Sequence, residues 1–229
     1  MSFASKTLRH LRRVLRDNSA VAAVEMAVSA PIVLLTGLVG MELSNLALVN
    51  LRVSQAAMHI ADNASRIGHG DLLVAQQIYE DDINDLFVGV NLQAGEGLGL
   101  YEHGRVIVSS LEQNEDDGQW IHWQRCMGRK AFVSAYGSEG TGETGTGLPG
   151  MGPAGAELKA APGQAVMYVE IAYTYQPLVN VALSDRFLTS REIRSESAFV
   201  VRGSRNLDGI FQRAAAAPVA SCDKYGVTP

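Results

Sequence analysis

The sequence predicts an α+β fold: a long N-terminal helix, a second helix and a small antiparallel sheet. Three observations predict it. Between residues 21 and 50 the only charged side chains are Glu25 and Glu42. From Leu46 to Ile67, apolar residues recur at spacings of three and four, the period of a helix face. Beyond residue 89 the pattern changes to period-two runs separated by turn signals, which read as strands.

The totals bound the function. With 229 residues the chain has room for one domain of ordinary size and a membrane element. It is 47% apolar and 19% charged, near the globular average. The net charge of -5 hides an asymmetry. Residues 1–17 hold Lys6, Arg9, Arg12, Arg13 and Arg16 against Asp17, a net +4, so the remainder carries -9. An acidic body argues against nucleic-acid binding.

A basic head before an apolar run is a topology signal. Sixteen uncharged residues, 26–41, separate Glu25 from Glu42. With the Ala/Val stretch before them the apolar length reaches about 20 residues, enough to span a bilayer. The flanking arginines place the N-terminus in the cytoplasm and the body beyond the inner membrane, in the periplasm. Three readings compete: a cleaved secretory signal, a plain signal anchor, and a leader cut before the apolar helix rather than after it. The last gives Glu25 a role. Cleavage between Ala20 and Val21 makes Glu25 the fifth residue of the mature chain, where its carboxylate can pair with the new α-amine. A charge in lipid is costly unless it is paired. The blander reading has Glu25 snorkelling to the interface. Glu42 reads as the far membrane boundary, and Pro31 as a kink that a membrane helix tolerates.

The stretch "RDNSAVAAVEMAVSAPIVLLTGLVGMELSNLALV" resembles the N-terminus of TadE/TadG-like proteins, minor pseudopilins of the tight-adherence (Flp) pilus machinery. The family pattern is a basic leader, a small residue at the cut, a few small apolar residues, a Glu and an aromatic. An Ala/Leu-rich run, often with Pro, follows and is closed by a second Glu. Those features fall here on Arg16, Ala20, residues 21–24, Glu25, Met26, Pro31, Gly40 and Glu42. Ala20 stands where the family has Gly, and Met26 where it has an aromatic residue. The resemblance implies a structural protein whose partners are other pilus or secretion subunits, the prepilin peptidase and the lipid bilayer.

The elements follow in order. Residues 1–20 are the basic leader and residues 21–45 the transmembrane helix. The stem, residues 46–68, carries the stripe Leu46, Val49, Val53, Ala56, Ile60, Ala64 and Ile67, with Gly68 and Gly70 as stops. Together they make one helix from about 20 to 68, half in lipid and half packed on a periplasmic α+β domain, residues 69–212. A second helix is expected from Asp71 to Phe87. Its "YEDDIND" packs four acids into seven residues but lacks the Gly and terminal Glu of a calcium loop, so it reads as a solvated face. "GVNLQAG" reads as a short strand or loop. "RVIVSSLEQ" and "WIHWQRCMG" form a hairpin across "NEDDGQ". Residues 137–163 hold nine glycines and three prolines and read as a mobile loop without a packed core.

"QAVMYVEIAYTYQPLV" is the clearest strand, with Ala165, Met167, Val169, Ile171, Tyr173 and Tyr175 on one face. A helical or irregular link runs to Arg186. "REIRSESAFVVRG" is the last strand, with Phe199 and Val201 inward. The tail, residues 213–229, is Ala/Pro-rich and expected to be poorly ordered. Cys126 and Cys222 are either free thiols or, in an oxidising compartment, a disulfide tying this tail to the sheet.

No catalytic constellation stands out, so no enzyme, cofactor or metal is expected. His122 and Cys126, four apart on a strand, share a face with no further ligand in view. Trp120 and Trp123 lie on opposite faces, one of them in the core. The leading reading is a pilin-like assembly component. The alternative is an uncleaved single-pass protein with a periplasmic binding or scaffold domain, and a membrane-tethered enzyme comes third.

Overall fold

The computed structural model describes residues 19–68, 74–95, 97–178 and 192–227. Asp71, Gly70 and the link to Arg186 lie outside the described residues, as do the leader arginines. The fold is α+β.

Helix α1, Ser19–Arg66, runs 48 residues without a break. Its stem stripe is buried as expected, from Val49 through Val53, Ala56, Ile60 and Ala64, with Ala57 and Ala61 beside it. The alanines let the helix lie close over the sheet. Strand β1, Gln76–Tyr79, and helix α2, Glu80–Ala94, follow. This corrects the expected helix from Asp71 to Phe87. Residues 76–79 are extended, and the helix starts where the Asp82 carboxylate accepts the Tyr79 N–H at 3.0 Å. Glu80, Asp81 and Asp82 then sit in the first turn, where the helix dipole favours anions. "GVNLQAG" is neither strand nor loop: it completes α2, which ends at Gly95 with φ +83°.

A short helix, α3 (Leu100–His103), leads into β2 (Gly104–Gln113), β3 (Gln119–Met127), β4 (Ala165–Thr174) and β5 (Glu192–Val200). These four form an antiparallel sheet in the order β3-β2-β4-β5. A further strand, β6 (Arg205–Phe211), pairs in parallel with β1. The expected hairpin is β2–β3, with a bulge: Ser110 faces Trp123 while Leu111 faces Ile121, so His122 is the extra residue. Trp123 enters the core and Trp120 is half-buried, stacked on His122 with ring centroids 4.2 Å apart.

Helices α1 and α2 cover one face of the sheet, against Met167, Val169, Ile171, Tyr173 and Tyr175 of the expected inward face. The other face is covered too, which overturns the expectation of a coreless mobile loop over residues 137–163. Met151 and Ala160 are buried against Leu111, Ile121, Val166 and Tyr168, with Leu148 alongside. The apolar outer residues of β4 need such a cover, and the glycines let the segment supply it. A Cβ on Gly142, at φ +81°, would stand 2.3 Å from the Gln119 carbonyl oxygen.

Residues 213–227 of the tail are held against the sheet, again against expectation. Cys222 is bonded to Cys126. Ala220 and Gly226 accept the Cys126 and Gly128 N–H groups, each at 2.8 Å. The buried Arg105 guanidinium donates to the carbonyls of Gly128, Cys222 and Lys224 at 2.9, 2.6 and 3.0 Å, and lies 4.0 Å from the Tyr225 ring centre.

Candidate functional site

The part of the molecule with the clearest demand for a surrounding is the first half of α1. Residues 21–41 are exposed apart from half-buried Ala30. They include Val24, Met26, Val28, Ile32, Val33, Leu34 and Met41, each more than half exposed. At 1.5 Å rise per residue they make a sleeve about 30 Å long, the thickness of a bilayer's hydrocarbon core. α1 is long and apolar enough to cross a membrane.

The candidate residues on this helix separate into two groups. Val21, Glu25 and Met26 are exposed in the first turns. The backbone of Ala20 is helical, and Glu25 lies four residues after Val21, one turn on along the same face. Among the described residues, no ion pair or side-chain hydrogen bond engages Glu25. The helix continues through Pro31, which removes the N–H that would bond the Ala27 carbonyl. Gly40 has open space where a side chain would be. Its carbonyl also accepts the Ser44 hydroxyl at 2.8 Å, and Thr36 bonds back to Ile32 at 2.7 Å. Both hydroxyls are satisfied within the helix, which removes most of the cost of placing them in lipid.

Glu42 stands where the exposed apolar sleeve ends, and the structure gives it a second role that the sequence reading did not. It is 8% exposed and belongs to the head. Tyr175 Oη donates to its Oε1 at 2.7 Å and the Leu178 N–H to its Oε2 at 3.1 Å. Asn45 Nδ2 in turn donates to Tyr175 Oη at 2.8 Å. Burial, and then the bond to Glu42, raise the Tyr175 pKa to about 12, so its hydroxyl stays a donor. This cluster buckles the end of β4 to the point where the exposed sleeve stops. The signal was present in the sequence: Glu42 precedes Leu46 by four and extends the stem stripe by one turn.

Other polar groups fasten the head. Arg125 forks onto buried Glu80 at 2.5–3.1 Å and reaches Glu139 at 2.9 Å, joining β3, α2 and the Gly-rich segment. Burial opposes its charge, but the two carboxylates outweigh it and the Arg125 pKa is raised. Glu170 and Glu196 face each other across β4 and β5. Tyr136 and Tyr168 donate to Glu196 at 2.7 and 2.5 Å, and the Ala135 N–H donates to Glu170 at 2.9 Å. Burial pushes Glu170 up. The His122–Cys126 pair is not brought together as chemistry. Cys126 is spent in the disulfide, and the bulge turns His122 Nδ1 onto Glu112 at 2.8 Å. That bond, ahead of opposing burial, raises the His122 pKa. Among the described residues, no group of three or more His, Cys, Asp or Glu side chains is placed to hold a metal ion.

No family model, curated protein or solved structure matches this chain.

Proposed function

We propose that the chain is a membrane-anchored, pilin-like assembly component of the TadE type, serving a tight-adherence pilus or a related secretion apparatus. The observation that carries the reading is the apolar sleeve of residues 21–41, which the head leaves uncovered and which continues unbroken into the stem. A helix open around its circumference has surface for lipid and for neighbouring helices. In this reading the basic leader stays in the cytoplasm and the head lies in the periplasm, where a disulfide persists. The function is structural, without catalysis or cofactor.

Prepilin peptidase would cut between Ala20 and Val21, leaving an α-amine one helical turn from Glu25. Their pairing offsets the cost of a carboxylate at the edge of lipid. The amine of a neighbouring subunit is the equivalent partner in an assembly. Mass spectrometry of the mature N-terminus tests the cut: a chain beginning at Met1 or Ser2 in cells with an active peptidase sinks it. Glu25→Ala is expected to block assembly while the protein still enters the membrane. The uncleaved anchor remains the second reading, favoured by Ala20 and Met26 at positions where the family has Gly and an aromatic. It expects Glu25→Ala to leave partner binding untouched.

A further inference from the structure

The two edges of the sheet are treated differently. On the outer side of β3, the N–H groups of Ile121, Cys126 and Gly128 bond to Thr141, Ala220 and Gly226 at 2.8–2.9 Å, and that of Gln124 bonds to the Glu139 carboxylate. The chain's own loop and tail close this edge. β5 pairs with β4 on one side, and among the described residues no hydrogen bond reaches the outer backbone of 193–199. Residues 193–199 give about 23 Å of open ladder.

A groove lies beside this edge. Arg52, Gln55 and His59 line a cleft against α2, so at 100° per residue Ala47, Asn50 and Ser54 are on the opposite flank of α1. α1 packs on β4 and β5, while α2 reaches β3 through Glu80 and Arg125. The flank away from α2 therefore overhangs β5. There Leu43, Leu46, Ala47, Asn50, Leu51 and Ser54 line a shallow groove of about 500 Å³. An incoming strand would meet ladder groups along one side, an apolar groove on one face, and the charges of Glu192, Arg194 and Glu196 on the other.

A second copy does not fit. Antiparallel β5–β5 pairing needs a two-fold axis perpendicular to the sheet, which sends the two α1 anchors in opposite directions. Parallel pairing about a two-fold along the strands sets equal-numbered residues level with side chains on opposite faces, whereas level neighbours in a parallel ladder share a face. The β3 edge of another copy is already closed. We infer that the open edge of β5 and the flank of α1 accept an extended segment of a different protein on the same side of the membrane. The segment would pair antiparallel, with an acidic residue opposite Arg194 and a basic one opposite Glu196. This rests on the membrane-anchor reading, because the anchors are what exclude the antiparallel pair.

The test has two arms, both on the full chain. A synthetic peptide of residues 192–200, freed of the anchor, can lie antiparallel on the edge with its Arg194 opposite Glu196 of the protein. Added to the protein in detergent, it should slow amide exchange across 193–199 and leave β3 unchanged. Arg194→Glu in the protein should weaken the peptide about fivefold, and a peptide carrying Glu196→Arg should restore it. In cells, a photoreactive phenylalanine at Val200 should give a single adduct with a non-identical chain, and β5 amides should be slower in native membranes than after purification. Absence of peptide protection overturns the inference. So does an adduct only with a second copy, or no adduct. Resistance to alkaline carbonate extraction is scored separately, so failure of the anchor and failure of the edge are distinct results.

Discussion

Replacing Tyr175 by Phe isolates the buckle between the apolar sleeve and the head. The ring and its burial remain and one oxygen goes. Its hydroxyl donates to Glu42 Oε1 at 2.7 Å and accepts from Asn45 at 2.8 Å. The first is a hydrogen bond to a carboxylate, worth about 1.5–3 kcal/mol, and the second a neutral one worth about 0.5–1.5 kcal/mol. Tyr175 is 1% exposed, so water does not replace them in the unrelaxed site. The expected loss is about 2–4 kcal/mol in denaturant unfolding of the full chain in micelles. Glu42→Gln keeps an acceptor and removes the charge. A double-mutant cycle should return a coupling of at least about 1 kcal/mol. Amide exchange should rise at residues 42–49 before it rises in β4, since the buckle holds the end of the stem. A Tyr175→Phe loss below about 0.5 kcal/mol, with unchanged exchange, would refute the assignment of Glu42 to the head. The same site sets an alkaline limit. The folded pKa of Tyr175 lies above its ordinary value, so the stabilisation it gives is complete below pH 10 and is lost as the pH rises through about 12.

Four further outcomes follow from the packing. Met151→Ala should cost about 2–4 kcal/mol and open residues 137–163 to protease, because Met151 is fully buried on the outer face of the sheet. Gly142→Ala should destabilise by more than the roughly 1 kcal/mol of an ordinary glycine replacement, read as a drop in Tm, since its Cβ would strike the Gln119 carbonyl. Loss of the disulfide through Cys222→Ser should lower stability by at most about 4–5 kcal/mol for a 96-residue separation, and the tail should still resist exchange until Arg105 is also replaced. Glu170→Gln should flatten the pH dependence of stability. Burial raises the folded pKa of Glu170 above its unfolded value, so the native state holds the proton longer and stability falls as pH rises through that range. A wild type that instead gains stability there contradicts the assignment.

How much of this was legible depended on whether one period dominated. The stem showed because Val49, Val53, Ala56, Ile60 and Ala64 keep a helical repeat that the structure buries. β4 showed because its inner residues alternate strictly. β1 did not, because four residues of strand run straight into an acidic helix start and the apolar spacing across both mimics one helix. The Gly-rich segment misled for a related reason. Composition counts glycines, while its packing rests on a few anchors, Leu148, Met151 and Ala160, whose partners are far away in sequence. The clue lay in β4 instead: Val166 and Tyr168 on its second face need cover, and in this chain it comes from that segment. The junction was half legible, since Glu42 sits on the stripe but nothing local names Tyr175 as its partner.

The fastenings of the head are not spread evenly, and their placement bears on how the apolar helix joins it. Tyr175, at the end of β4, meets Glu42 and Asn45, so this end of the sheet is where the exposed sleeve begins. The pairing register puts Gly104 and Arg105 level with Tyr173 and Ala172, and Met127 level with Val106. The Arg105 clasp, the Cys126–Cys222 bond and the Glu42 buckle therefore gather at the end next to the sleeve. A pull on the sleeve enters the head at residues 42–46 and runs along the stem, roughly parallel to β4 and β5. That loads the buried stripe in shear across many contacts rather than peeling one strand away. A tail joined by cysteine chemistry and by a guanidinium then keeps the starts of β2 and the ends of β3 from fraying where the load arrives. Under the assembly role proposed above, this reinforcement stands where force passing between the apolar helix and its neighbours would enter the head.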